Sequence, residues 1–149
     1  MNATVTSWRD GVSAQAQQDL DALLNIGLRF AQEQLAARGS FFPYAAAIST
    51  DGHGETIAPR PDPNNERPVS AHVIGSCHAE LVRRRDLIRA GAIVSDVRMP
   101  DGSDAVRVDL EHAEGPALTV LLPYAKRRLS KRIDYGQVRA QTGPRQIWT

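Results

Sequence analysis

Val106, Val108 and Leu110 alternate with Arg107, Asp109 and Glu111. A period of two puts the apolar set on one face and the charges on the other, as in a half-solvated antiparallel strand. Residues 117–122 (Ala-Leu-Thr-Val-Leu-Leu) are almost continuously apolar and predict a central strand buried on both sides; residues 92–99 form a third β-like run. The links between these runs are short. Pro100-Asp101-Gly102-Ser103 carries strong turn chemistry, and Gly115-Pro116 closes the second link. Parallel pairing would need a crossover of about a dozen residues or more, so the three strands are expected to be antiparallel.

The pattern changes to helical spacing upstream. Leu20, Leu23, Leu24, Gly27, Leu28, Ala31 and Leu35 recur every three or four residues, and predict an amphipathic helix over 13–38 with Ser13 as N-cap and Gly39 as stop. Gly27 in that stripe costs about 1 kcal/mol of helix propensity relative to alanine, which close approach to a sheet would explain. Residues 45–50 read as a strand, Asp51-Gly52-His53-Gly54 as a hairpin turn, and 55–58 as its return. Residues 59–68, with four prolines and two asparagines, read as a loop. A second helix is expected over 70–89, with Val73, Ile74, Cys77, Leu81 and Ile88 on its apolar face and Gly91 just past its end. In the tail, Ile133, Tyr135 and Val138 hint at one short extra strand.

The order α-β-β-α-β-β-β predicts an α+β two-layer sandwich: a mostly antiparallel sheet of about five strands with the helices packed on one face. Roadblock-like and longin-like domains and the cores of some secretion chaperones share this element order, an analogy of fold alone. Residues 1–12 are expected to be a mobile leader, and 13–149 a single domain with a basic tail from about 125.

Composition adds little. The chain has 149 residues, one cysteine and a net charge of +1. Residues 1–82 carry 5 Lys/Arg against 9 Asp/Glu and residues 83–149 carry 13 against 8, so the halves are −4 and +5. That imbalance is small for a dedicated nucleic-acid binder. A lone cysteine permits no intrachain disulfide, no apolar run approaches the ~20 residues of a membrane span, and residues 1–11 lack the pattern of a secretory leader. A cytoplasmic protein without membrane association is expected.

Several stretches are informative as a set: Phe42-Pro43-Tyr44-Ala45, Asp51-Gly52, Ser95-Asp96-Val97-Arg98, Ser103-Asp104-Ala105-Val106, Leu110-Glu111-His112, Leu122-Pro123-Tyr124 and Asp134-Tyr135-Gly136. Together they resemble a family of small bacterial proteins from about residue 18 onward. The resemblance implies one domain in a bacterial cytoplasm, and carries over no activity and no catalytic residue.

Three chemical readings arise. Cys77-His78-Ala79-Glu80 resembles the ligand-Ala-Glu step of zinc-dependent deaminases, in which Glu shuttles the proton. The Pro-Cys-x-x-Cys pair that completes such a zinc site is missing, so His78 and Glu80 remain candidates only for a degenerate version, and the plainer reading makes Cys77 a small buried hydrophobe. A Cys77 nucleophile would need a base. His78 points about 100° away on the helix, and His112 could reach Cys77 only through the tertiary fold. The third reading is anion binding by Arg83 and Arg84, with neighbouring Arg85 and Arg89, and by Lys126, Arg127, Arg128, Lys131 and Arg132, which would form one patch if the sheet brought them together. Charge runs are more often solvated surface. Phe41, Phe42 and Tyr44 around Pro43 either plug the core or mark a partner surface.

The leading expectation is a non-enzymatic protein-binding or regulatory module with a protein partner or self-association through a free sheet edge. A small or degenerate deaminase-like enzyme using residues 77–80 is the alternative, and phosphate or nucleic-acid binding the third. No cofactor and no metal are expected.

Overall fold

The computed structural model describes residues 8–58, 70–130 and 132–149. The Pro-rich loop 59–68, Lys131 and the first seven residues of the expected leader lie outside the described residues. The elements are α1 (Ala14–Arg38), β1 (Tyr44–Ser49), β2 (Gly54–Ile57), α2 (Ser70–Arg83), β3 (Ile88–Arg98), β4 (Asp104–His112), β5 (Ala117–Lys126), β6 (Ile133–Tyr135) and β7 (Arg139–Thr142). The strands form one antiparallel sheet in the order β2-β1-β3-β4-β5-β6, with β7 also on β5. The α+β sandwich with an antiparallel sheet is therefore the observed fold class.

α1 begins and ends as its sequence dictates. The Ser13 hydroxyl accepts the Ala16 N–H, and Gly39, at φ 76°, closes the helix through its N–H to the Leu35 carbonyl. The stripe Leu20, Leu23, Gly27, Ala31 and Leu35 faces Ala46, Ile48, Ala92, Val94, Val106, Val108, Val120 and Leu122 of the sheet. Gly27 marks the closest approach: a Cβ there would stand 3.0 Å from Val94 Cγ2, and the Tyr44 hydroxyl donates to the Gly27 carbonyl at 2.5 Å. Gly27→Val is accordingly expected to overpack this contact at about 1–3 kcal/mol, measured as a lower urea midpoint, whereas Gly27→Ala recovers part of that cost through helix propensity.

The two helices lie on opposite faces, not on one. Ala45, Ala47, Ile57, Ile88 and Ile93 point away from α1 and pack with Val73, Cys77 and Leu81 of α2. The cause is visible in β1 and β3, whose small residues Ala45–Ala46–Ala47 and Ala90–Gly91–Ala92 are buried from both sides. α2 also stops at Arg83 rather than near 89. Arg84 to Leu87 form a turn, and β3 has begun by Ile88. Gly91 is a strand glycine rather than a helix stop, for a Cβ there would lie 2.9 Å from Ile147 Cδ1 and 3.3 Å from Leu81 Cδ2. A bulge accompanies this: Ile48 pairs Ala90 and Ser49 pairs Ile88, so Arg89 is skipped.

Seven strands replace the expected five-strand sheet because the tail supplies two. β7 takes Leu118–Leu121 of β5's outer edge and β6 takes Tyr124–Lys126, while Pro123 sits in the gap with its carbonyl accepting the Gly136 N–H. A proline is tolerated there because no ladder bond is asked of its nitrogen. Residues 8–12 of the expected leader are attached to α1: Trp8 packs against the α1-side core and Arg9 pairs with Asp21 at 2.7 Å. Among the described residues, no helix is long and apolar enough to cross a membrane.

Candidate functional site

α2 carries the segment 77–80 in its last two turns, and the fold occupies each of its three reactive side chains. Cys77 faces the sheet and is 1% exposed, and burial pushes its thiol up to about 11. At pH 8 roughly one such thiol in a thousand is ionised, so Cys77 is expected to resist thiol reagents in the native protein and to react fully in denaturant. His78 donates its Nε2–H to the Gln146 carbonyl at 2.8 Å. Glu80 accepts from Arg83 Nη2 at 2.5 Å and Arg84 Nε at 2.7 Å, and these bonds hold its carboxyl below the usual carboxylate range. Arg84 also reaches Glu55 at 3.3 Å. The shallow groove of about 380 Å³ beside Ile57, Ser76 and Ala79 thus has a neutralised rim. As a zinc site the segment does not fit: the thiol faces the core, the imidazole is bonded to a carbonyl and the carboxylate to two guanidiniums. No three His, Cys, Asp or Glu side chains converge for a metal among the described residues.

His112 is on the α1 face of β4 and Cys77 is under α2, so the sheet separates them. His112, 2% exposed, donates from Nε2 to Asp19 Oδ2 at 2.8 Å, and its Nδ1 accepts the Glu114 N–H at 3.1 Å, which places the ring proton on Nε2. Asp19 in turn receives Gln15 and Arg89 at 2.9 and 3.0 Å. Arg89 Nε lies 2.9 Å from Asp19 Oδ2, as an ion pair, but is misaligned for a hydrogen bond. Burial alone would raise the Asp19 pKa, but the bonds from His112, Arg89 and Gln15 and the guanidinium charge outweigh it and lower it. This cluster ties α1 to β3 and β4. The sequence did carry a signal for it: Asp19 falls on the apolar stripe, three residues from Ala16 and four from Leu23.

A second buried anion pins the tail. The Glu111 carboxylate, 3% exposed, accepts the backbone N–H groups of Gln146, Ile147 and Trp148 at 2.5, 2.9 and 2.7 Å. Ile147 enters the α2-side core, and the Trp148 indole donates to the Arg85 carbonyl. No local pattern announces this latch, because Glu111 stands on the charged face of β4 and its partners lie 35 to 37 residues away.

A cluster of aromatic side chains lies at the end of the sheet where α1 stops and β1 begins. Tyr44 is buried, with Phe30 edge-on at 4.6 Å and Phe41 at 5.7 Å between ring centres. Phe42 beside them is 59% exposed. These four rings, with Pro43, Arg38 and Asp96, line a groove of about 470 Å³, whose margin includes Ala58 and Ser70. Asp96 is engaged by the Tyr124 hydroxyl at 2.5 Å. The aromatic cluster therefore both plugs the core and presents a surface. Arg38 also lines a second groove, of about 300 Å³, with Leu35, Lys126, Arg127, Ser130, Arg132 and Ile133.

The two basic clusters do not merge. Arg83 ends α2 and Arg84 follows it at the Ile88 end of β3, whereas Lys126, Arg127, Arg128 and Arg132 lie toward its Arg98 end, about 33 Å of strand away at the usual rise. Arg85 and Arg89 stay with the former, and Arg89 is committed to Asp19. Comparison with protein-family models, curated proteins and solved structures gives no match.

Proposed function

We propose that this chain is a small non-enzymatic binding module, bacterial and cytoplasmic as its sequence resemblance implies, that captures a protein partner in the aromatic groove at the α1 end of the sheet. The observation that carries this reading is Phe42: a large, mostly exposed ring lining the same groove as the buried Tyr44 and the partly buried Phe30 and Phe41. That lining is preorganised, because Tyr44 is bonded to Gly27 and wedged between Phe30 and Phe41. Rigid aromatic anchors of this kind dominate protein interfaces. The partner is a different protein or a second copy of the chain.

Sedimentation velocity and affinity capture from the native cytosol, run on wild type and Phe42→Ala, test it. A complex that weakens about 30-fold in the variant, as loss of a hot-spot ring implies, is the expected result, with the melting temperature essentially unchanged. A strict monomer with an identical capture profile in both proteins contradicts it. The competing enzymatic reading has its own assay: stoichiometric zinc in the purified protein, lost in His78→Ala, would overturn the binding-module proposal.

A further inference from the structure

Cations outnumber acids around the groove that adjoins the aromatic one. Arg38 and Lys126, which line it, have no acidic partner among the described residues, nor has Arg128, an exposed residue of the same basic run outside the lining; Arg127 and Arg132 share a single carboxylate, Asp134, at 2.9 and 3.8 Å. Of the other acids toward this end, Asp104 is paired with Arg98 at 3.7 Å, Asp96 and Asp101 keep their charge while accepting from Tyr124 and Ser103, and Glu33 of α1 lies close enough to act on Tyr44; the lining of the second groove itself, with Arg38, Lys126, Arg127 and Arg132, holds cations and no acid. Lys126 stands against the last turn of α1, its Nζ 3.4 Å from where a Gly39 Cβ would be. The carbonyl end of a helix attracts such a cation and holds it at the groove. Arg38 belongs to both grooves, so an aromatic cradle and a basic cradle meet at one guanidinium.

We infer that the segment recognised here is acidic: an extended stretch of a partner protein with an apolar or aromatic side chain seated beside Phe42 and carboxylates running over Arg38 toward Lys126, Arg128 and Arg132. This rests on the protein-binding reading of the aromatic groove and adds the chemistry of the partner. Carboxylates suit these cations because guanidinium forks pair with them in bidentate fashion and because electrostatic complementarity sets partner choice. A single-stranded nucleic acid is the less favoured occupant. Phe42 is the one ring of the four that is mostly exposed, where base binding uses successive stacking platforms, and the chain's net charge of +1 is low for a phosphate-backbone binder.

Fluorescence anisotropy with labelled synthetic probes tests the inference. One probe is a peptide of about twelve residues with a Phe-Pro centre flanked by Glu and Asp; its counterpart carries Lys at every acidic position; a single-stranded oligonucleotide of similar length is the third. Wild type is expected to bind the acidic peptide at least about tenfold tighter than the Lys counterpart, less tightly as salt is raised. Arg128→Glu, at an exposed position, and Lys126→Glu are each expected to weaken it by about threefold to tenfold, at unchanged melting temperature for Arg128→Glu and a slightly lowered one for Lys126→Glu, whose new charge faces the carbonyl end of α1. No binding of the acidic probe, equal binding of the Lys counterpart, indifference to both reversals, or tighter binding of the oligonucleotide each overturns the inference. The two proposals fail separately: peptide binding that depends on Phe42 but ignores charge removes only the acidic partner, whereas charge-dependent binding that ignores Phe42 removes the aromatic site.

Discussion

Asp19→Ala is expected to destabilise the fold by about 3 kcal/mol or more, a large share of the roughly 5–15 kcal/mol that holds a domain together. The carboxylate is the shared acceptor of His112, Arg89 and Gln15. Removing it leaves the His112 Nε2–H buried without a partner and the Arg89 guanidinium, partly buried, without its counter-charge. Asp19→Asn retains an acceptor and should cost about 1–2 kcal/mol. The pH dependence follows from the direction of the shift. The folded-state pKa of Asp19 is lowered, so the unfolded chain binds this proton more readily. The stabilisation is fully present above the ordinary aspartate value of about 3.9 and is lost as pH falls through the lower folded-state value. Urea titrations from neutral pH into this acid range should show a falling midpoint in wild type and a flatter limb in Asp19→Asn. An unchanged midpoint in Asp19→Ala would mean that the cluster contributes nothing to holding α1 on the sheet.

Glu111→Ala is expected to release the tail from the α2 face at about 2–4 kcal/mol. Bonds from backbone N–H groups to a carboxylate contribute about 1.5–3 kcal/mol each, but the buried charge carries a desolvation cost that its removal recovers, and a released tail finds water. What remains is largely the loss of Ile147 from the core. Two local reporters separate release from global unfolding. Trp148 should shift to the red as its indole leaves the Arg85 carbonyl, and Cys77, in the same apolar cluster as Ile147, should become accessible to thiol reagents in a protein still folded on its α1 side. Glu111→Gln, which keeps an acceptor oxygen, should fall between the two. An alanine variant with native emission and a silent thiol would show that the tail is held by β7 and Ile147 alone.

The sheet was legible where side chains meet water on one face. β4 announced itself through Val106, Val108 and Leu110, and α1 through its stripe and caps, because each pattern is local. The opposite-face placement of α2 has its trace in Ala45–Ala47, a strand start with no polar alternation, but small residues signal burial only once something is known to cover them. Ile88 falls two turns beyond Leu81 and so fits the helical stripe of α2. Pairing with Ser49 overrode that local preference, and the bulge at Arg89 hid the strand's period. The apolar run of β5 predicts a strand buried on both sides. Its α1 face is buried, while Leu121 on the other face is only half covered, because β7 borders the edge of β5 without covering its face.

The site was less legible than the fold, for a physical reason. A reactive-looking motif such as Cys77-His78-Ala79-Glu80 gives residue types, whereas function depends on which of them remain unsatisfied after folding. His78 is occupied by a carbonyl 68 residues away and Glu80 by its own helix neighbours, and only the latter spacing could be read beforehand. Phe42 presented the reverse case. Its neighbours Phe41 and Tyr44 turn inward and it does not; residues 41–43 precede β1, so no strand period governs their directions and the sequence offered no rule for telling them apart.

The most direct measurement of the binding-module proposal is photocrosslinking in living cells, with a benzoyl-modified phenylalanine in place of Phe42 and, as control, of Arg107 on the exposed face of β4. A discrete adduct from position 42, absent from position 107 and competed by the unlabelled wild-type protein, is the expected result. No adduct at position 42, or the same set of products from both positions, would show that the aromatic end of the sheet is inert surface and would contradict the assignment.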